Sequence, residues 1–344
     1  MAQRTSLDRG AALAAIAKLC TGGLTSEALR RELRPRLRRL LPFAAYCINA
    51  CDPSSGLITS SVGDGLNPED ARRLFAIEAE GQDFNRLSEL AQGREATRAL
   101  GLATGGDLAR SQRMREIFLP LGYGDELRSA LLFGGACFGY AHLFRRLGEP
   151  GFDTNDVAAV AAAAPSIAAG LRAALLRSAS ESAAPASGLG LLRLDREDQV
   201  LEQSPGAERA LASLDTTRSG LSHVARVVAS HARRGAPARA IVSGDGRTPF
   251  RVSALTVGER TTVVVDELTL RDAQALALSA AGLSARERDV CSLLLEGCSN
   301  QNLAENLGVT LHTAKDHVKA VLRKTGSRTR AELVARVRGG KLGE

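Results

Sequence analysis

The chain has 344 residues, a hydrophobic fraction of 44%, a charged fraction of 24% and a net charge of +7. Such a chain is globular, too long for one ordinary core, and suits two or three domains. It holds nine Phe, three Tyr and no Trp, and of these rings only Phe250 lies beyond Phe152, which excludes a stacking platform for single-stranded bases in the later part.

No apolar run reaches the roughly 18 residues of a membrane span. The nearest, Val157 to Leu171, is interrupted by Pro165, Ser166 and Gly170. No signal-peptide pattern precedes the first helix, so a cytoplasmic protein without membrane contact is expected. The six cysteines (Cys20, Cys47, Cys51, Cys137, Cys291 and Cys298) form no C-x-x-C and are expected to be reduced core residues. Cys47 and Cys51 would share one face of a strand, which leaves a redox sensor open.

Residues 7–41 read as two helices, the second starting at Leu24-Thr25-Ser26 with Leu29, Leu33, Leu37 and Leu40 inward. Its arginines (Arg30, Arg31, Arg34, Arg36, Arg38 and Arg39) read as a solvated face, with a second nucleic-acid contact as the alternative. Strands are expected at Ala44–Ala50 and Gly56–Val62, around the turn Asp52-Pro53-Ser54-Ser55. Helical patches follow near Pro68–Ala79 and Ser111–Leu119. Strands Glu126–Phe133 and Cys137–Phe144, joined at Gly134-Gly135, complete an α+β unit. Residues 153–178 read as a helix with Val157, Val160, Ala164, Ile167, Leu171 and Ala174 in heptad-like spacing, kinked or restarted at Pro165. That seam fits either a dimer contact or packing on its own domain.

Residues 179–188 are a linker by composition. A smaller α+β unit follows, with strands Leu189–Asp195, Ala238–Ser243, Phe250–Val257 and Thr261–Val265 and a helix Pro205–Leu214. Turns are expected at Asp195–Asp198, Gly244-Asp245-Gly246 and Gly258-Glu259. Asp266–Ala280 reads as a connecting helix. His223 and His231 read as surface residues.

The last part is the most informative. Residues 273–344 hold 11 Lys+Arg against 7 Asp+Glu, a net +4, and within Lys315–Arg338 the balance is 8 against 2. A basic end on a globular chain points to a polyanion. Ser284-Ala285-Arg286-Glu287 is a capping box opening a helix with Val290, Leu293 and Leu294 inward, stopped by Gly297. Ser299 caps a short helix, Asn300–Leu307, with Leu303 and Leu307 inward. Gly308 supplies a left-handed turn, and Thr310 caps a third helix from Leu311 to about Lys324. Helix, tight turn at Gly, helix is the helix-turn-helix pattern.

On the third helix Leu311, Ala314, Val318, Val321, Leu322 and Thr325 form the expected packing stripe. His312, Lys315, Lys319 and Arg323 form the opposite face, flanked by Thr313, His317 and Lys324. Lys315 and Lys319 are expected at bases or phosphates and His312 and Thr313 near base edges. His317, Arg323 and Lys324 are expected at phosphates. His312, His317, Cys291 and Cys298 lack the tight ligand pair of a zinc site, so no metal and no cofactor are expected.

Here the chain resembles the LuxR-type helix-turn-helix family. Glu287 matches the family's opening Glu, Gly297–Asn300 its Gly-x-Ser-Asn, and Thr313–Val318 its Thr-Val-Lys-x-His-Val, with Ala314 in place of Val and Gln301-Asn302 in place of Lys-Glu. The resemblance implies an all-α four-helix domain over 279–344. Its fourth helix, often a dimer contact in the family, would be Thr329–Val337, with Leu333, Val334 and Val337 inward.

Residues 25–178 resemble a GAF domain, on Leu40–Gly56 and Gly134–Arg145. Residues 188–211 resemble the start of a PAS domain, on Leu192–Asp195 and Gln203-Ser204-Pro205. The implied architecture is multidomain: N-terminal helices plus a GAF-like unit (1–178), a PAS-like unit (189–268), then the helix-turn-helix. The rings Phe43, Tyr46, Phe133, Phe138 and Tyr140 are expected near a ligand-enclosing core.

No phosphate-binding G-x-x-x-x-G-K-[ST], receiver pattern or Ser/His/Asp arrangement occurs, so an enzyme is not expected. The expected function is a sequence-specific transcriptional regulator whose sensory N-terminal region controls dimer arrangement. The expected partners are double-stranded DNA and a second copy of the chain, with RNA polymerase and a small-molecule effector as further candidates. The alternatives are a sigma-factor-like promoter reader and a sensory scaffold whose last helices bind protein.

Overall fold

A computed structural model describes residues 2–64, 66–180, 190–212, 223–236, 238–242, 250–268, 278 and 281–338. Helices α1 (Ala2–Cys20) and α2 (Ser26–Leu40) come first, α2 capped by Thr25. A five-stranded antiparallel sheet follows: β1 (Ala45–Cys51), β2 (Ile58–Gly63), β3 (Thr97–Ala99), β4 (Tyr123–Phe133) and β5 (Ala136–Arg146), in the order β2-β1-β5-β4-β3. Between β2 and β4 run α3 (Pro68–Glu80), α4 (Leu87–Gln92), α5 (Leu100–Thr104) and a π-helical turn, Met114–Phe118. The long α6 (Thr154–Ser180) runs unbroken past Pro165, whose side of the helix is exposed.

Alternation along the strands sorts this unit into two faces. Tyr46, Ile48, Leu127, Leu131, Phe138, Ala141 and Leu143 pack on α1, α2 and α6. The α6 seam (Val160, Ala164, Ile167, Leu171) lies in that same core, so it is occupied within the chain and is not a free dimer seam. The residues Thr154–Arg177 are long and apolar enough to cross a membrane by length and composition alone, but half of that span is buried inside the protein.

The opposite face carries charge. Arg113 Nε and Arg128 Nε donate to the two Glu126 oxygens at 2.7 and 2.8 Å. Arg113 also pairs with Asp83 at 3.0 Å and Arg128 with Glu78 at 2.8 Å. His142 Nδ1 lies 3.1 Å from Glu126, and its Nε2 lies 3.3 Å from Asn49 Nδ2. Burial alone would raise the Glu126 carboxyl, but the two guanidinium groups outweigh it and hold it well below the carboxylate range. These acids look scattered along the chain, and the fold gathers them.

The rings expected near a ligand-enclosing core pack against protein. Phe43, Tyr46 and Phe138 fill the helix-side core, and Tyr140 packs with Cys51 and Cys137. Phe133 is covered by the Arg172 guanidinium 5.0 Å from its centroid. Arg30 also departs from the solvated reading. It is buried, and its guanidinium donates to Ile48 O at 3.3 Å and Ser60 O at 3.1 Å. Arg31 and Arg36 pair with Glu27 and Glu32 on their own helix, and Arg34 with Asp64, which removes these three from a free basic face.

The second sheet is also antiparallel: β6 (Gly190–Leu194), β7 (Val200–Gln203), β8 (Arg239–Val242), β9 (Phe250–Val257) and β10 (Arg260–Glu267), in the order β7-β6-β10-β9-β8. Counted along the chain, both sheets follow 2-1-5-4-3. Helices α7 (Pro205–Ala212) and α8 (His223–Arg233) accompany it, and Val224, Val227 and Val228 of α8 enter its core. His231 is half-buried at the end of α8, and burial lowers its pKa. The expected linker (apart from 179–180), the Gly244-Asp245-Gly246 turn and most of the expected connecting helix lie outside the described residues. Asp266 and Glu267 of that connecting helix instead finish β10.

The chain ends in helices α9 (Ala285–Leu295), α10 (Asn300–Leu307), α11 (Leu311–Lys324) and α12 (Arg330–Arg338). The fold is therefore an α+β region with two antiparallel sheets, followed by an all-α four-helix unit.

Candidate nucleic-acid interface

Local capping builds the last unit as its residue types require. Ser284 Oγ accepts the Glu287 N–H at 3.2 Å, and Glu287 Oε2 accepts the Ser284 N–H at 2.6 Å, a complete capping box. Ser299 Oγ accepts the Asn302 N–H, and Thr310 Oγ1 the Thr313 N–H, both at 3.1 Å. Gly308 has φ +62°, the left-handed turn between α10 and α11. Val290, Leu294, Leu303, Ala314, Val318, Val321, Leu333 and Val337 close one core. Arg330 of α12 donates to Cys298 O at 2.9 Å and to Asn300 Oδ1, which ties the fourth helix to the α9–α10 turn.

This packing fixes which side of α11 is free. His312, Lys315, Lys319 and Arg323 are exposed; Thr313 and His317 are half-buried beside them. Among the described residues no carboxylate pairs with Lys315, Lys319 or Arg323. At four-residue spacing they form one cationic row along the helix. His312 Nε2 lies 3.5 Å from Asp316 Oδ2, which occupies the one acid on this face. The Thr313 hydroxyl is 2.9 Å from that of Thr310, so it belongs to the helix start.

Two expected positions change. Leu311 is 40% exposed and stands outside the packing stripe. Lys324 is turned to the protein. Its ammonium lies 2.6 Å from Glu287 Oε2 and 3.2 Å from Gly282 O, which replaces the expected phosphate contact with an internal tie. Conversely, Arg328 is exposed just past α11, beyond Gly326. The sequence places it in the basic stretch without marking it as a contact residue.

The unit is seated on the first sheet. A Cβ on Gly134, in the β4–β5 turn, would lie 2.5 Å from Gly282 Cα, and Leu176 of α6 packs against the four-helix core. The second sheet also touches the first unit. Leu57 and Phe75 pack on its core, and Asp52 Oδ2 accepts the Ile241 N–H at 3.1 Å.

An exposed, unpaired cationic row on a well-capped helix, set behind a tight left-handed turn, can reach phosphates and base edges of a duplex groove. Comparison with known proteins agrees with that geometry. Residues 281–337 match the family described as GerE, bacterial regulatory proteins, luxR family. The chain is 44% identical over 52 residues to the transcriptional regulatory protein MctR of Rhizobium johnstonii, covering 15% of this chain and 24% of that protein. It is 39% identical over 54 residues to the monoamine regulon transcriptional regulator of Klebsiella aerogenes, covering 16% and 24%. The chain thus spans about a quarter of the length of these curated relatives. Among solved structures, the GAF domain of a phosphoenolpyruvate-protein phosphotransferase from Coxiella burnetii aligns at 20% identity and TM-score 0.38, over 50% of this chain and 98% of that one. Escherichia coli SdiA aligns at 11% identity and TM-score 0.34, over 93% of each chain.

Proposed function

We propose that this chain, whose residues 281–337 form a luxR-family helix-turn-helix domain, is a sequence-specific DNA-binding transcriptional regulator. The observation that carries the reading is the row Lys315, Lys319 and Arg323, exposed and without carboxylate partners among the described residues. In this reading Lys315 and Lys319 reach bases or phosphates, and His312 and Thr313 sit where base edges are met. His317, Arg323 and Arg328 neutralise phosphates.

The region ahead is read as sensory, GAF-like through residue 178 and PAS-like over 189–268. Its support is the strand order shared by the two sheets and their contacts with each other and with the helix-turn-helix. Two copies would place two α11 helices on half-sites about one helical turn apart, roughly 34 Å. An effector, or a contact with RNA polymerase, acts through its different affinity for the arrangements of the pair.

Gel-shift titration of the full chain on genomic fragments tests the reading. A discrete site bound far more tightly than bulk DNA is the expected result. Absence of any such site, with a protein recovered on the C-terminal helices instead, would establish the scaffold alternative.

A further inference from the structure

Cys51 ends β1, and Cys137 is the second residue of the neighbouring β5. Their Sγ atoms lie 3.8 Å apart. A disulfide needs about 2.05 Å, so the two sulfurs must close the remaining gap. No other two cysteine sulfurs are in contact among the described residues. Cys47, the other strand cysteine, gives its thiol to Asn49 Oδ1 at 3.2 Å.

The two thiols are unequal. The Cys51 thiol lies 3.2 Å from Cys137 O and 3.8 Å from Cys137 Sγ, and the Cys137 thiol lies 3.2 Å from Gly139 O. The Cys51 contact lowers the Cys137 pKa, while burial holds Cys51 well above the usual thiol range. Both are buried, Cys137 with 8% of its surface open and Cys51 with 4%. A thiol with a second thiol in contact is the arrangement that turns a first oxidation into a disulfide.

The pair also lies between two contacts that join the parts of the chain. Asp52, next to Cys51, accepts the Ile241 N–H from β8 of the second sheet. Three residues before Cys137, Gly134 abuts Gly282 at the start of the four-helix unit. We propose that Cys51 and Cys137 form a reversible dithiol–disulfide site, oxidised by a small hydroperoxide and placed to alter the Asp52–Ile241 contact.

The step balances. The Cys137 thiolate attacks a peroxide oxygen, the O–O bond breaks, and the leaving hydroxide or alkoxide takes a proton. Cys51 then attacks the sulfenic sulfur; the S–S bond forms, the S–O bond breaks, and water leaves with the Cys51 proton. Two thiols lose two electrons and two protons, and the peroxide is reduced. A thiol reductant reverses the change.

The test treats the reduced full chain with hydrogen peroxide, alkylates the remaining thiols and maps peptides by mass spectrometry, with amide exchange followed at Ile241. The expected result is loss of two of the six thiols into a Cys51–Cys137 cross-linked peptide. Ile241 then exchanges several-fold faster, and dithiothreitol restores both signals. Cys51→Ser should stop oxidation at sulfenic or sulfinic Cys137, and Cys47→Ser should leave the cross-link intact. Thiol loss without that cross-link, a cross-link that depends on Cys47, or a cross-link with unchanged Ile241 exchange would overturn the proposal. Mapping on the unmutated chain does not depend on how the variants fold.

Discussion

The Lys324 ammonium lies 2.6 Å from Glu287 Oε2, so the last residue of α11 is tied to the capping box that starts α9. Burial would raise the Glu287 carboxyl, but Lys324 and the Ser284 backbone bond outweigh it and hold it below its ordinary value of 4.5. A carboxylate depressed on folding adds stability above its unfolded pKa and loses it as pH falls through the folded one. The four-helix unit should therefore lose stability below about pH 4.5, and Glu287→Gln should flatten that loss. Lys324→Ala should cost about 1–3 kcal/mol of stability, because Glu287 keeps its burial and loses its cation. Thermal unfolding across pH checks both outcomes.

Arg323 and Lys324 are adjacent in sequence and should behave differently toward DNA. If Arg323 neutralises a phosphate, Arg323→Ala lowers the slope of log affinity against log salt by about one unit and leaves sequence preference unchanged. Lys324→Ala should leave that slope alone once folding is matched. Lys315→Ala should weaken specific binding by about 1–3 kcal/mol if it reads a base. Its unfolding midpoint should stay near that of the parent, because an exposed side chain without a partner shifts stability by at most about 0.5 kcal/mol. Equal salt slopes for all three variants would dissolve the assignment.

The helix-turn-helix was legible because its determinants are local. Ser284, Ser299 and Thr310 each bond an amide three residues on, and Gly308 turns the chain by its own φ. Periodicity puts Lys324 beside the exposed face, whereas its partner Glu287 is 37 residues away, beyond any periodicity. Arg30 failed for a similar reason. Six arginines on one helix look alike until Ile48 and Ser60 draw one of them inward. Strand β4 misleads differently: Glu126 and Arg128 stand on either side of Leu127 as alternating exposed positions would, yet both are buried. The strands on either side of the Gly134-Gly135 turn were readable from their patterns, whereas three-residue β3 and the π-helical turn at Met114 owe their form to tertiary packing.

That buried face gives a stability prediction. Glu126 serves Arg113, Arg128 and His142 at once, and Arg113 and Glu126 have side chains fully out of solvent. Removing the acid leaves two guanidinium groups without their shared carboxylate. Glu126→Ala should destabilise the first sheet by about 3–5 kcal/mol, the range for breaking a buried pair from one side. Chemical denaturation followed by circular dichroism measures this. A loss no larger than that of an exposed substitution would mean that the cluster is not held as described.

The contact between Gly134 and Gly282 supplies the sharpest test of how the front of the chain meets the helix-turn-helix. Both residues have positive φ, +59° and +70°. A Cβ on Gly134 would lie 2.5 Å from Gly282 Cα, and one on Gly282 would lie 2.7 Å from Gly134 Cα. Each Gly→Ala therefore carries two costs, a left-handed backbone that Ala resists and a backbone clash across the junction. The backbone cost is local and should add in the double variant. The clash is shared, so once one Ala has opened the junction the second meets less resistance. Gly134→Ala and Gly282→Ala should each raise amide exchange across Ala281–Leu283, and the double variant should be less destabilised than the sum of the two. Strict additivity, or exchange at Ala281–Leu283 that ignores Gly134→Ala, would show that the β4–β5 turn does not hold the helix-turn-helix in place.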